Sequence, residues 1–349
     1  MHTAANMAAP RQTRVLLVGD FPPPNGGVAT HVEELFRAVR ARGGMCEVLD
    51  IGKGQLPALG VIPAGSTARF AALLTSYAAR RYRVHVHTSG ANPKSWMLAQ
   101  ACAMAGRLSG GAFITLHSGL GPAWLLENPP RRAMARAVLL QFARVIAVSG
   151  PIRDVLGHCG IREVDIIPAF STEFVQPGTP PQGLADLRAH SAPLYCAMMA
   201  PRPEYGQEIL LRAFADVRVK LPGAALALYG PGSDSVHEDR VHAFGELHRA
   251  QALALMAACD VFVRPTLADG DSVSVREALA LGRKVVATSV GHRPAQVRLV
   301  PPGDAAALAE ALLASSAEVP ARPAEAGPDP LKQILSFYGV TACAASAAS

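Results

Sequence analysis

Short apolar segments alternate with amphipathic segments along most of this chain, and the alternation restricts the possible folds more than any other feature. Arg14–Gly19 is an apolar run of strand length, and residues 28–42 then repeat apolar residues at helical spacing. The pair recurs in residues 83–88 and 93–108. Strand–helix repeats predict parallel sheets covered by helices, which bind ligands at the carboxyl ends of their strands. We therefore expect an α/β protein.

The chain is long enough for two domains. It has 349 residues, half of them hydrophobic, and residues 171–193 are rich in Pro, Gly and polar residues, as connecting segments are. The predicted division is a disordered N-terminus over residues 1–13, a first domain over 14–172, a linker over 173–192, a second domain over 193–318 and a C-terminal segment over 319–349. The tail from Val340 is rich in Ala and Ser, and we expect it to be disordered.

A polar cluster at a late strand-to-helix turn is the strongest candidate for a binding site. Residues 260–263 form an apolar strand, Ser272 is a candidate N-cap, and residues 274–281 have helical spacing. The free N–H groups and the positive dipole end of such a helix start bind anions. Asp269 and Glu277 stand eight positions apart around this start. Their carboxylates could therefore accept hydrogen bonds from hydroxyls beside a bound phosphate.

Two other interpretations of this turn remain open. Carboxylates near a helix start are common as caps or in solvated turns. The triplet Asp269-Gly270-Asp271 could also be a metal-binding Asp-x-Asp sequence. We favour the anion site, because the triplet opens a helix late in the chain.

A glycine-rich loop follows the first predicted strand. Gly26 and Gly27 stand between that strand and the first helix, where paired glycines let the backbone approach a ligand closely. Their spacing excludes both the dinucleotide fingerprint and the P-loop. For this loop taken alone, a plain tight turn is an equal alternative.

Charge is distributed unevenly along the chain. Residues 1–172 hold 18 Lys and Arg against 9 Asp and Glu, a net charge of +9, whereas residues 173–349 have a net charge of −3. The basic residues are not interleaved with aromatic ones, so we expect no nucleic-acid partner. An anionic membrane surface or a phosphate-bearing acceptor fits better. Residues 131–142 are basic on one side, which fits a membrane-surface helix or an ordinary helix with a solvated face.

The apolar segments and the cysteines of the chain indicate its cellular compartment. The N-terminus lacks the apolar stretch of a signal peptide, and no run approaches the roughly 20 apolar residues of a membrane span. Six cysteines lie without metal-binding spacing, which fits a reducing compartment. We expect a cytoplasmic protein that is peripheral on the inner membrane if its basic surface binds there.

The order of these motifs resembles the retaining glycosyltransferases of family 4, which have the GT-B fold. The matching motifs are the Pro-x-x-Gly-Gly-Val loop at Gly26 and Gly27, Gly230-Pro231-Gly232, the acidic residue with seven others before Glu277, and Val-Pro-Pro-Gly-Asp at residues 300–304. The resemblance covers about residues 15–314. It implies two Rossmann-like parallel-sheet domains facing each other across a cleft, with a last helix over residues 330–338 that crosses back to the first domain.

The resemblance also implies a reaction. A sugar would be transferred with retention from a nucleotide-diphospho-sugar to a saccharide or lipid-linked acceptor, in bacterial polysaccharide or glycolipid biosynthesis, with no cofactor and no metal ion. The implied catalytic residues are His117, Asp269, Glu277 and Arg202. The implied substrate-binding residues are Gly26, Gly27, Arg264, Ser272, Val273, Gly230 and Gly245.

Departures from the family pattern keep other functions open. Tyr205 stands where the family has a Lys that neutralises the leaving diphosphate, and Arg264 is the expected second cation. Ala169-Phe170 replaces the usual Asn-Gly. An epimerase or phosphorylase on the same fold and a catalytically silent nucleotide-sugar-binding protein are therefore alternatives. A structural role is expected for His85 and His87, since an isolated His is more often structural.

Overall fold

The computed structural model describes residues 13–23, 26–54, 56–117, 120–318 and 329–340. Disorder was expected for residues 1–13 and for the tail from Val340, and of these only Thr13 and Val340 are among the described residues. Val340 is buried against the first domain, so the expectation is wrong for that residue.

The first domain is built on a seven-stranded sheet in which every ladder is parallel. Its strands are β1 (Arg14–Gly19), β2 (Met45–Asp50), β3 (Val61–Pro63), β4 (Arg83–Thr88), β5 (Phe113–Leu116), β6 (Arg144–Ala147) and β7 (Asp165–Ile166), in the order β3-β2-β1-β4-β5-β6-β7. Its helices are α1 (Gly27–Ala41), α2 (Thr67–Ala79), α3 (Pro93–Ser109), α4 (Leu120–Leu126), α5 (Pro129–Leu139) and α6 (Gly150–His158).

The second domain repeats this plan with a six-stranded parallel sheet. After the short helix α7 (Leu184–Ala189) come β8 (Leu194–Met198), α8 (Gln207–Lys220), β9 (Ala225–Tyr229), β10 (Val241–Ala243), α9 (Arg249–Ala258), β11 (Val261–Arg264), α10 (Val273–Ala280), β12 (Lys284–Thr288), β13 (Arg298–Val300) and α11 (Ala305–Ala317). The strand order is β10-β9-β8-β11-β12-β13. The prediction of two parallel-sheet α/β domains is confirmed.

Each sheet has a point at which its strand order reverses, and these points position the site. The reversal lies between β1 and β4 in the first sheet and between β8 and β11 in the second. Helices on opposite faces diverge at such a point and leave a crevice at the carboxyl ends of the strands. The Gly26 loop follows β1, and the Asp269 turn follows β11. The topology therefore brings both predicted motifs to crevices.

Alternating residues of each strand fill two cores. On β1, Leu16 and Val18 pack with α3 and α5, whereas Val15 and Leu17 face a cluster that contains α1. The last helix, α12 (Pro330–Tyr338), packs Ile334 and other buried residues into that second cluster of the first domain. The C-terminal helix thus lies on the first sheet. Among the helices of the described part, none is long and apolar enough to cross a membrane.

Candidate functional site

A cavity of about 410 Å³ lies between the two domains, and we call it the cleft. Nine of the eleven residues that the sequence pointed to line it: Gly26, Gly27, His117, Gly230, Arg264, Asp269, Ser272, Val273 and Glu277. They come from both domains, and most stand just after a strand or at the start of a helix. The fold therefore gathers residues that are far apart in sequence around one space.

The starts of α1 and α10 face each other across the cleft. A Cβ atom built on Gly27 would lie 3.8 Å from Cγ2 of Val273, so the two helix starts lie close together. Gly26 and Ser272 are the N-cap residues, and neither supplies a side-chain hydrogen bond to the first turn. In the described residues, no N-cap side chain competes with a ligand for the first N–H groups of either helix, and both positive dipole ends lie at the cleft.

Other helices that begin near the cleft also lack a side-chain N-cap. Among helices of eight or more residues in the described part, five have a side chain that accepts from the first turn: Ser66, Asn92, Asn128, Asp304 and Asp329, at α2, α3, α5, α11 and α12. The other five, α1, α6, α8, α9 and α10, have none, and each begins within two residues of the cleft lining. Side-chain caps are thus absent where an anion could replace them.

Asp269 is held in a network of cations at the cleft wall. Its Oδ2 lies 3.0 Å from Nε of Arg264 and 3.0 Å from Nη2 of Arg293, and its Oδ1 accepts from the Gly270 N–H at 3.0 Å. Burial favours the neutral acid, but the two guanidinium groups and the hydrogen bonds outweigh burial and hold the pKa of Asp269 below its usual value. Asp269 is therefore a carboxylate that orients Arg264 in addition to facing the cleft.

Arg264 is the buried cation of the cleft. It is 8% exposed, it ends β11, and its guanidinium carbon lies 4.9 Å from the ring centre of Tyr205. Burial alone disfavours its charge, but Asp269 raises the pKa of Arg264 above its already high value. Tyr205, which stands at the family's Lys position, thus supports a neighbouring cation through a cation–π contact.

Two of the predicted residues are not part of the cleft lining. Arg202 is exposed at the start of the single-turn helix Pro203–Tyr205 and is not brought together with the other site residues. Gly245 accepts a hydrogen bond from the Gly230 N–H at 2.7 Å, and Glu246 and Leu247 line the cleft after it. Gly230 itself has a φ of +109°, and a Cβ there would lie 2.2 Å from the Met199 carbonyl oxygen, so only glycine fits.

Glu277 shares a cation with a carboxylate of the other domain. Its Oε1 accepts from Nε of Arg249 at 3.0 Å, and Nη2 of Arg249 lies 2.6 Å from Oε1 of Glu34 in an ion pair rather than an aligned hydrogen bond. Two buried carboxylates therefore compete for one guanidinium. Burial raises the pKa of both, and Arg249 opposes this only in part. This three-residue group links α1 of the first domain to α9 and α10 of the second.

The Asp-Gly-Asp triplet is bound to arginines. Asp271 makes two hydrogen bonds with Arg276, at 2.7 and 2.8 Å, while Asp269 contacts Arg264 and Arg293. In the described residues, neither carboxylate belongs to a cluster of metal-ligating side chains. Arginines thus contact three of the four carboxylate oxygens of the triplet.

His117 reaches the cleft from the end of β5, and two further histidines lie behind it. Nε2 of His117 is 3.1 Å from Nδ1 of His87, and the His31 ring of α1 lies beside both. Burial lowers the pKa of all three histidines. An isolated His87 was expected from the sequence, whereas the structure places it in contact with a predicted site residue.

Several residues that line the cleft or lie behind its wall could not be recognised in the sequence. Three of them, Arg249, Glu34 and His31, lie in segments whose sequence pattern indicates only an amphipathic helix. The residues that they contact are remote in sequence. Tyr205 stood out only as a departure from a pattern. The signal that could have found His31 is its place one turn into a helix that follows a glycine loop.

Two family models match the chain and together cover most of it. Residues 25–170 match the model described as Glycosyltransferase Family 4, and residues 192–317 match Glycosyl transferases group 1. The first match covers β2 to β7 of the first sheet, and the second covers all six strands of the second sheet. The chain belongs to the GT-B glycosyltransferases, enzymes that take a sugar from a nucleotide-sugar donor, and the predicted family and fold are confirmed. No curated protein sequence matches the chain.

Solved structures share this architecture at low sequence identity. Sucrose-phosphate synthase from Thermosynechococcus elongatus is 20% identical, with a TM-score of 0.65 over 87% of this chain and 90% of that one. Anabaena HepE, solved with UDP and glucose, is 19% identical, with a TM-score of 0.63 over 88% and 90%. A UDP-forming trehalose-phosphate synthase from Burkholderia xenovorans, solved with glucose-6-phosphate, is 14% identical, with a TM-score of 0.61 over 88% and 92%. These likenesses establish the fold.

The environment of Glu34 predicts that stability depends on pH. Burial, opposed by Arg249, raises the pKa of Glu34 from 4.5 to about 7 in the folded protein. As the pH rises between these values, the unfolded chain ionises first and the free energy of unfolding falls. Glu34→Gln removes the ionisable group and with it this pH-dependent loss of unfolding free energy. Relative to wild type, the variant should gain up to about 3 kcal/mol of unfolding free energy over that interval.

Urea unfolding of both proteins at pH 5 and pH 8 measures this difference. Glu33→Gln is the matched control, because Glu33 is the preceding residue, is 19% exposed and pairs with Arg37 at the helix surface. A stability difference between wild type and Glu34→Gln that stays constant with pH, or that falls, contradicts the role given to Glu34.

Proposed function

We propose that this enzyme transfers a sugar with retention of configuration from a nucleotide-diphospho-sugar to a saccharide or lipid-linked acceptor, in bacterial polysaccharide or glycolipid biosynthesis. The acceptor hydroxyl attacks from the face that the leaving diphosphate departs, so no enzyme nucleophile is needed. The diphosphate is neutralised by the protein rather than by a divalent metal ion or another cofactor. UDP or another nucleoside diphosphate is the product.

One observation carries the proposal: two helix starts without side-chain caps meet at Gly27 and Val273, with the Arg264 guanidinium on the same wall. A diphosphate has oxygens enough to accept from both helix starts and from a cation. The charge that develops on the leaving group is largest in the transition state, so donors fixed in advance accelerate transfer. Anabaena HepE, a protein of the same fold, was solved with UDP and glucose, which is in keeping with such a ligand.

The other residues of the cleft suggest where the ribose, the nucleobase and the sugar of the donor bind. We place the ribose hydroxyls at Glu277 of α10 and the nucleobase near Gly230 and Gly245. The sugar lies towards Asp269 and His117, where His117 positions the sugar or the acceptor. Ser272 and Val273 present the N–H groups to the phosphates. Arg249 holds Glu277, and ribose binding is expected to loosen that ion pair.

Arg264 and Arg202 give a matched pair of variants. We expect Arg264→Gln to lower kcat about 100-fold, since one fixed cation at the leaving group is lost, and Arg264→Lys to recover part of this. Arg202→Gln should stay within about twofold of wild type, because Arg202 is exposed and away from the cleft lining.

Release of the nucleoside diphosphate from a panel of nucleotide-sugars measures both variants. Mass spectrometry detects a sugar transferred to the acceptor, and proton NMR detects an epimerised donor, which has an unchanged mass. Far-UV circular dichroism and the melting temperature must be unchanged for the comparison to count. Equal loss in Arg202→Gln and Arg264→Gln, or full activity of Arg264→Gln, contradicts the assigned role. Formation of an epimer without acceptor supports the epimerase alternative.

We further propose that the first domain binds an anionic membrane surface, at the cytoplasmic face of the inner membrane, through α3. Met97, Met104 and Leu108 are 72, 56 and 52% exposed, and with Lys94 they share one face of the helix, while exposed Arg107 is adjacent to Leu108. On α5, by contrast, Arg131 contacts the Trp124 ring and Glu127. The exposed apolar and basic face of α3 is the better candidate.

Flotation with vesicles that contain an anionic phospholipid tests this surface. Wild type should float at low salt and lose binding as salt rises, and a Met97→Asp/Met104→Asp variant should not float. Val219→Asp is the control, since Val219 is 82% exposed on α8 of the second domain. Equal flotation of the α3 variant and the control would contradict the proposal that α3 binds the membrane.

A further inference from the structure

Three histidines from three elements meet beside the cleft. His31 lies one turn into α1, His87 lies in β4, and His117 follows β5. If one ring nitrogen is taken from each histidine, the three nitrogens all lie within 4.8 Å of one another. Their ring centroids are 5.3, 5.2 and 5.4 Å apart, which is close to an equilateral triangle. The side chains therefore surround one point.

Two of these rings carry buried nitrogens that bond to nothing in the described part of the protein. His31 and His87 are 2 and 1% exposed, and Nδ1 of His31 and Nε2 of His87 have no hydrogen-bond partner there. A buried polar atom left in this state costs free energy that a hydrogen bond or a bound ion recovers. The contact between His87 and His117, at 3.1 Å, satisfies only one nitrogen of each ring.

The spacing of the rings fits tetrahedral coordination. With a Zn–N distance of about 2.1 Å, each ring centroid lies about 3.2 Å from the ion, and the centroids of two ligands lie about 5.2 Å apart. The observed spacing of 5.2 to 5.4 Å agrees with this. In such a site the ligand nitrogens lie about 3.4 Å apart. The facing nitrogens of His87 and His117 are 3.1 Å apart, so both rings must turn away from each other to face a common ion.

We propose that His31, His87 and His117 bind one Zn²⁺ ion at the wall of the cleft in the first domain. Three imidazoles suit Zn²⁺ and related transition metals, whereas Mg²⁺ and Ca²⁺ prefer oxygen ligands. Because His117 lines the cavity, a fourth coordination position is available to water or to an oxygen from the cleft. This ion is distinct from the diphosphate site, and transfer as proposed above does not require it.

The chemical state of the rings is compatible with ligation. Burial disfavours the charged form of an imidazole, and His31 and His87 are only 2 and 1% exposed. Neutral imidazole is the form that binds metal. Glu34, three positions after His31 on the same helical face, is a buried acid that can balance part of the added charge.

The test uses the full chain without an affinity tag, stripped with a chelator and titrated with Zn²⁺ and with Co²⁺. We expect one equivalent of Zn²⁺ to bind and to raise the melting temperature. Co²⁺ should give the intense visible bands of a tetrahedral site without thiolate charge-transfer bands, since the five described cysteines are buried elsewhere. Affinity should fall at least about tenfold in His31→Gln and in His117→Gln.

His237→Gln is the control, because His237 is an exposed histidine of the second domain. X-ray absorption on wild type gives an answer even where a variant does not fold, with three imidazole nitrogens at the zinc as the expected result. Binding of less than one equivalent, thiolate ligation, or affinity equal in His31→Gln and His237→Gln overturns the proposal. Those results would leave the three rings as a packed, hydrogen-bonded cluster, and none of these readouts depends on transfer activity.

Discussion

Unsatisfied N–H groups at the starts of helices are the feature on which this site depends. The first N–H groups of an α-helix have no partner within the helix and must find one outside it. In the part of the chain that the structure describes, the N-cap side chain supplies it at α2, α3, α5, α11 and α12. It does not at α1, α6, α8, α9 and α10, and all five of these helices begin at or near the cleft. Parallel sheets bring these starts to one edge, so the fold collects donors and positive dipole ends around one space.

Ion pairs adjust the charge of that space. Arg264 is buried, and Asp269 and the Tyr205 ring hold its guanidinium in place, which keeps a cation at the wall although the family's Lys is missing. Across the cleft, Arg249 is shared by Glu277 and Glu34, so two carboxylates compete for one cation. The Asp269–Arg264 pair therefore fixes a hydrogen-bond donor for the leaving group. The contacts of Arg249 with Glu277 and Glu34 connect the two domains, and a ligand can compete for them.

Local sequence patterns were enough to predict the α/β class, whereas nine of the 25 residues that line the cleft were found from such patterns together with the family resemblance. The strand–helix alternation predicted both parallel sheets, and loops such as Gly26-Gly27 lie where the strand order reverses, so topology alone brings them to the cleft. The very short strand β3 and the helices α4 and α6 did not stand out, because a few residues carry too little periodicity.

Contacts between remote residues were beyond the sequence. Glu34 and Arg249 are separated by most of the chain, and nothing local distinguishes either from a solvated helix face. The grouping of His31, His87 and His117 likewise depends on which strands are neighbours. The family resemblance implied a site role for Arg202 from its position in a motif, whereas the exposure of its side chain depends on how the Pro203–Tyr205 turn packs.

A crystal structure of the protein with UDP or another nucleoside diphosphate is the most direct test of this site. We predict that the diphosphate oxygens lie within hydrogen-bonding distance of N–H groups in the first turns of α1 and α10 and of the Arg264 guanidinium. A diphosphate bound elsewhere in the protein, or bound with both helix starts left to water, would contradict the central role given to these helix starts.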